Sequence, residues 1–286
     1  MNGLFSETLA YYDTVEQQGH LTLHLHIIIW IKYSLSPQQI RDRLLAGDSE
    51  FQKQLIQYLE SAHKGEYFTG SQADVFNMRH ETEMMSGFID YTKVLPEVPA
   101  PHCKHGCGDC LSGETSEGWW AYFRKVVGIL ICKCNIHMCC MDNKWKQCKA
   151  RFPCQIFNET SVDTTTGHLN MLKRERWLNT FTPILTYLFR CNTDVTSLRS
   201  GMAIKAVLIY VTDYITKPGL KTHAIFDCIQ SVFQRSKDQP DNPAKTRKER
   251  ARKTMAQMVN VLGAKTELGS PMVCSYLLGL PDHYMN

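Results

Sequence analysis

The chain has 286 residues, of which 43% are hydrophobic, and a formal net charge of +4. That is enough to bury one sizeable core, or one core with a small appended module, and it excludes a disordered chain. No window reaches the ~18 continuous apolar residues of a membrane span, and the N-terminal run MNGLFSETLAYYDTVEQQ lacks the pattern of a signal peptide.

Residues 10–33 predict a β-hairpin: Tyr11 to Gln18 as one strand, Gly19-His20 at the turn, and the β-branched and leucine-rich run Leu21 to Ile31 as the other. Ser36-Pro37 is a helix start, and Ile40, Leu44, Phe51, Leu55, Ile56 and Leu59 form a broken helical stripe through residue 63. Residues 94–118 read as a linker of Pro, Gly and Cys, and residues 119–160 as a cysteine-rich segment. Helices are expected over 183–191, 203–217 and Lys221 to Gln234, followed by a polar loop and a basic helix start. Four segments are expected: 1–95 and 161–234 as two parts of one core, 96–160 as a cysteine-rich insertion, and 235–286 as a basic C-terminal segment.

In the run Leu23-His24-Leu25-His26-Ile27, residues two apart share a face of the strand. His24 and His26 therefore project together, and Leu25 and Ile27 are expected to point the other way, into a core. Two imidazoles on one rigid face can hold one metal ion. Glu16 or Gln18, across the turn, is of the right parity to add an oxygen. Two nitrogens and an oxygen suit Mg²⁺ or Mn²⁺, although imidazoles also accept Zn²⁺. By itself an HxH motif is more often a pair of ordinary strand histidines.

The run IKAVLIYVTDYITK places Tyr210 and Tyr214 at i,i+4 spacing, with Lys217 on the same helical stripe. Such a stripe is more often core packing than chemistry. Beside a metal-bound phosphodiester, however, a tyrosine hydroxyl becomes a useful nucleophile. Attack forms a phosphotyrosine bond and conserves the phosphodiester energy, and two tyrosines permit two transfers in succession. Lys217 would steady the transition-state charge.

The run AYYDTVEQQGHLTLHLHIIIW resembles the HUH motif of the Helitron helicase-like (Rep) domain of Helitron transposases, fungal members in particular. Glu16 and Gln18 stand at that family's spacing before the first histidine. YVTDYITKPG resembles its two-tyrosine motif, and LNTFTPILTYLFRCNTDVTSLRSG and QCKARFP resemble further family segments, so the resemblance covers nearly the whole chain. It implies an α+β fold with a mainly antiparallel central sheet flanked by helices, the histidine strand at the sheet's centre and the tyrosines facing it. It also implies metal-dependent, rolling-circle nicking and ligation of single-stranded DNA at transposon ends, in the nucleus. His20 stands where fungal members usually have arginine. The family protein usually continues into a linked helicase domain; this chain has no G-x-x-x-x-G-K-[ST] loop, so no ATP hydrolysis is expected of it. The sequence reads as a piece of such a protein. The alternative is a truncated, non-catalytic DNA- or zinc-binding transposon relic.

Nine of the twelve cysteines fall between Cys103 and Cys154, among histidines, which suits metal binding in a reducing compartment. Cys107, Cys110, His137, Cys139 and Cys148 are candidates for a structural Zn²⁺. The family resemblance, around HxC and CKARFP, favours His137 and Cys148. From Arg235 to Lys253 there are eight Lys/Arg against three acidic residues. Arg247, Lys248, Arg250, Arg252 and Lys253 are candidates for phosphate contacts, with a solvated helix face as the equal alternative. Trp119-Trp120 can stack on bases but reads better as a core anchor. Asp194 reads as a turn or helix cap.

Overall fold

In the computed structural model, residues 3–17, 21–98, 114–138, 148, 150, 152–198, 208–209, 212, 222–237, 246–265 and 268–285 are described. They form an α+β fold with eight α-helices and a small antiparallel sheet. The chain divides into two compact bodies. One comprises residues 1–34 and 204–286, and the other residues 35–203. This two-way division differs from the four segments expected, since it separates the histidine strand from the helices that follow it.

In the first body, β1 (Thr8–Gln17) pairs antiparallel with β2 (Leu23–Ile31). The register runs from Tyr11 opposite Ile29 to Gln17 opposite Leu23, with an irregularity between Thr8 and Ala10. The other edge of β1 pairs with a short strand near the C-terminus, Tyr12 to Thr14 opposite Met285 to His283. Among the described residues β1 is therefore the central strand and β2 an outer one, which corrects the expectation that the histidine strand lies at the centre. The pleat alternates as expected, but its burial is inverted. Leu25 and Ile27 are 45% and 49% exposed, and the histidine face is the more covered one. The expected apolar core on that side is absent among the described residues.

The second body opens with α1 (Pro37–Leu45), capped by Ser36 and Gln39 in a reciprocal box with Pro37 at its first position. The single helix expected through residue 63 is two. Gly47 takes a left-handed φ of 74°, and Asp48 caps α2 (Ser49–Ala62) by accepting from the Phe51 N–H at 3.1 Å. The apolar stripe then packs Leu44 and Leu59 against Leu169, on the two-residue strand pair β3 (Ser161–Val162) and β4 (Leu169–Asn170). α3 (Gln72–Glu83), capped by Ser71 and Asp74, was not foreseen; its sequence has little apolar periodicity.

The main core forms around α4 (Glu114–Leu130) and the π-turn Ile131–Asn135, a segment where a cysteine-rich module was expected. Val126, Val127, Leu130 and Ile131 are fully buried against Val75, Leu178, Phe181 and Tyr187. α5 (Pro183–Phe189) adds Tyr187 to this cluster and ends at Arg190 in a left-handed conformation. α6 (Thr222–Lys237), α7 (Arg247–Lys265), α8 (Ser270–Leu277) and the last strand, β5 (His283–Met285), belong to the first body. α8 starts at Gly269, whose N–H donates to Gln17 Oε1; a Cβ there would lie 2.6 Å from the Leu21 carbonyl oxygen. This close approach requires glycine and fixes the start of α8 to the hairpin.

Candidate functional site

The register of β1 and β2 sets the site. Glu16 stands directly opposite His24, and Thr14 opposite His26. In an antiparallel pair, opposed residues share a face, so Glu16, His24 and His26 all project from one side. The two imidazole centroids are 4.6 Å apart, edge to face. Glu16 Oε1 lies 3.2 Å from His26 Nε2, and both side chains are only 12–13% exposed. Burial, with His26 beside it, pulls the His24 imidazole below its ordinary pKa, against the opposing influence of Glu16. His24 therefore favours the neutral form, which is the form that ligates metals.

In kind, two imidazoles and a carboxylate fit a divalent cation with open positions. Their present arrangement is closed, because Glu16 is hydrogen-bonded to His26. Among the described residues no three or more His, Cys, Asp or Glu side chains are placed to hold one ion. Taking up a metal would require the Glu16–His26 bond to be exchanged for ligation. Gln18 and His20 lie outside the described residues, as do Tyr210, Tyr214 and Lys217. The expected separation between the tyrosines and the histidines therefore concerns residues outside those described. Leu208, Ile209 and Thr212, in the same run, are helical.

Of the zinc candidates, Cys107, Cys110 and Cys139 lie outside the described residues. The structure does bring together the two that the resemblance favoured: His137 Nε2 is 3.1 Å from Cys148 Sγ, and the His137 ring stacks on Phe152 at 4.2 Å. Two nearby cysteines act otherwise. Cys132 packs in the main core, where burial pushes its thiol up to about 11, and burial also raises the thiol of Cys134. These are poor candidates for thiolate ligands.

Arg247, Lys248, Arg250, Arg252 and Lys253 all lie exposed on the first turns of α7, below a capping box between Thr246 and Glu249. Trp119 packs against the main core and stacks on Phe123 at 5.4 Å, as a core anchor should, whereas Trp120 is 46% exposed. Asp194 is exposed in an irregular segment, and residues 195–198 after it are not helical, so it does not cap a helix. Sequence reasoning missed Asp282 and His283. They reach the histidine sheet through a three-residue strand at the far end of the sequence, which carries no periodic signal of its own.

The chain matches no family model, no curated protein and no solved structure.

Proposed function

We propose that this chain is a metal-dependent HUH single-strand DNA endonuclease and strand transferase of a Helitron rolling-circle transposon, acting in the nucleus on transposon ends. One observation carries the reading: Glu16, His24 and His26 converge on one face of the hairpin.

In this reading His24, His26 and Glu16, with Gln18 as the alternative oxygen donor, hold Mg²⁺ or Mn²⁺. Such an ion neutralises charge at a phosphodiester when bound. The chain's own nucleophiles are Tyr210 and Tyr214. A tyrosine oxygen forms a bond to phosphorus, the bond to the 3′ oxygen breaks, and a phosphotyrosine remains on the protein. Lys217 steadies the developing charge. The basic residues of α7, Arg247, Lys248, Arg250, Arg252 and Lys253, contact the DNA backbone without reading its sequence. A central sheet flanked by helices and a linked helicase domain belong to the same proposal.

The test is direct. The chain is incubated with single-stranded DNA and Mn²⁺, and a covalent protein–DNA adduct is sought after denaturation. The reading expects an adduct that is lost in His24→Ala and in the double variant Tyr210→Phe/Tyr214→Phe. Absence of an adduct with any divalent metal sinks it.

The 3.1 Å approach of His137 to Cys148 favours a second, non-catalytic reading, a DNA- or zinc-binding relic. That reading expects stoichiometric zinc that is lost in Cys148→Ser, together with no adduct. Zinc alone is compatible with both readings, as a structural ion beside the nuclease, so the adduct decides between them.

A further inference from the structure

Arg190 is 4% exposed, and no carboxylate pairs with it among the described residues. It closes α5 in the left-handed conformation, φ 54°, that glycine ordinarily takes at a helix end. Its Nε–H donates to the Tyr187 carbonyl and its Nη1 to the Tyr91 carbonyl, each at 3.3 Å, which is long for such bonds. Its third nitrogen, Nη2, is buried and has no hydrogen-bond partner among the described residues. The rings of Tyr187 and Tyr91 lie 5.0 and 5.7 Å from the guanidinium carbon, and Tyr122 stands edge-on to Tyr91 at 6.4 Å. A cation at the end of a helix is favourable, and the two carbonyl bonds account for Nε and Nη1. They do not account for a buried guanidinium with a spare nitrogen and no counter-ion. Burying a charge is costly unless it is paired and fully bonded, and ring faces offset only part of that cost.

The surroundings add a second donor. The Tyr187 hydroxyl already donates to the Glu97 carbonyl at 2.6 Å. The Tyr122 hydroxyl stands within reach of both the Arg190 guanidinium and the Glu97 carboxylate. Burial pushes this hydroxyl up to about 12, so it keeps its proton and acts as a donor. Glu97 is the acidic group that faces the three tyrosines, and its side chain is exposed. A spare guanidinium nitrogen beside a protonated hydroxyl fits an oxyanion. A phosphate group matches best, because the two donors take different oxygens of one tetrahedron.

We propose that Arg190 and Tyr122, beside the rings of Tyr91 and Tyr187, bind a phosphate group, and that the Glu97 carboxylate covers the site until phosphate displaces it. Nη2 is sealed in the structure, so entry requires Glu97 to move away. Every residue of the site belongs to the body of residues 35–203, and the site is independent of the nuclease reading. The phosphate is either a free ion or a phosphodiester of single-stranded DNA.

The test titrates inorganic phosphate into the full chain at constant ionic strength, with chloride as the control, and follows heat and melting temperature. Phosphate should bind and raise the melting temperature where chloride does not. Arg190→Gln should abolish the effect. Tyr122→Phe should weaken phosphate binding about tenfold, since it removes one hydrogen bond to a charged group. Glu97→Gln should tighten it, because a competing carboxylate is gone; a purely structural role for Arg190 predicts no such gain. These last two variants decide the matter even where Arg190→Gln does not fold. Fluorescent single-stranded DNA in EDTA then separates the sources. DNA binding that is weakened in Arg190→Gln and displaced by phosphate identifies the DNA backbone, and DNA binding that is unchanged there identifies a free ion. No binding of phosphate to the parent, or equal binding in the parent, Tyr122→Phe and Glu97→Gln, overturns the inference. The covalent adduct plays no part in this outcome, so the nuclease reading stands or falls separately.

Discussion

The body built on α4 has a fully buried aliphatic core; among the described residues the body that carries the histidine hairpin has far less of one. Around α4, Val126, Val127, Leu130, Ile131 and Phe181 have no exposed surface. In the hairpin body the buried side chains among the described residues are those of Asp13, Cys228, Val232 and Met272, with Gly269 buried as well, and the hairpin's aliphatic face is half open. Its covered face holds Glu16, His24 and His26 instead. A polar face that is covered while an apolar face is open runs against the usual preference of burial, which ranks Leu and Ile far above His and Glu. Stability resides in one body, and candidate chemistry in the other.

The largest effect that would break this comparison lies in the α4 core. Leu130→Ala should cost about 3–5 kcal/mol, since the side chain is fully buried and the site cannot collapse. Urea unfolding followed by tryptophan fluorescence checks it. A loss under about 1 kcal/mol would mean that this core is far looser than its packing shows.

Next comes Gly269→Ala, at about 2 kcal/mol, because the new methyl meets the Leu21 carbonyl oxygen and no flexible side-chain end can yield there. Amide exchange in β1 and β2 should rise in this variant while α4 stays protected. Equal protection in the hairpin would remove the proposed link to α8.

Acid provides the third test. Burial raises the Asp90 carboxyl, but hydrogen bonds from Lys133 at 2.5 Å and from Thr92 outweigh it and hold the group down at about 2. A carboxyl depressed in the fold contributes stability above its unfolded value near 3.8, and that contribution is lost as pH falls from there to about 2. Both partners are about a quarter exposed, so screening leaves about 1–2 kcal/mol. Asp90→Asn should flatten the stability curve of this body between pH 4 and pH 2. An unchanged curve contradicts the assignment. The smallest effect is expected at Leu25→Thr, under about 0.5 kcal/mol, because the side chain is already half in water and threonine favours strands.

The hairpin, the start of α1, α5, α6 and the basic helix were legible because each carries its own local signal, whether alternation, a cap or a stripe. The shared face of Glu16, His24 and His26 was legible for the same reason: pleat parity is a local property. What was not legible depends on distant partners. The break at Gly47 needed a positive φ, and the burial of α4 needed Val75, Leu178 and Phe181 around it. The inverted burial of β2 and the arrival of His283 were hidden because a short third strand leaves no trace in the sequence of the first two. Leu25 and Ile27 look like core residues by type alone.

The central claim is that the covered polar face of the hairpin performs strand transfer. Covalent capture of single-stranded DNA by the intact chain in Mn²⁺ tests it most directly, with the attached residue mapped by mass spectrometry. The account predicts a nucleotide on Tyr210 or Tyr214, and none in His24→Ala or His26→Ala. An unmodified chain under every divalent metal tried, or an adduct that survives loss of both histidines, would contradict it.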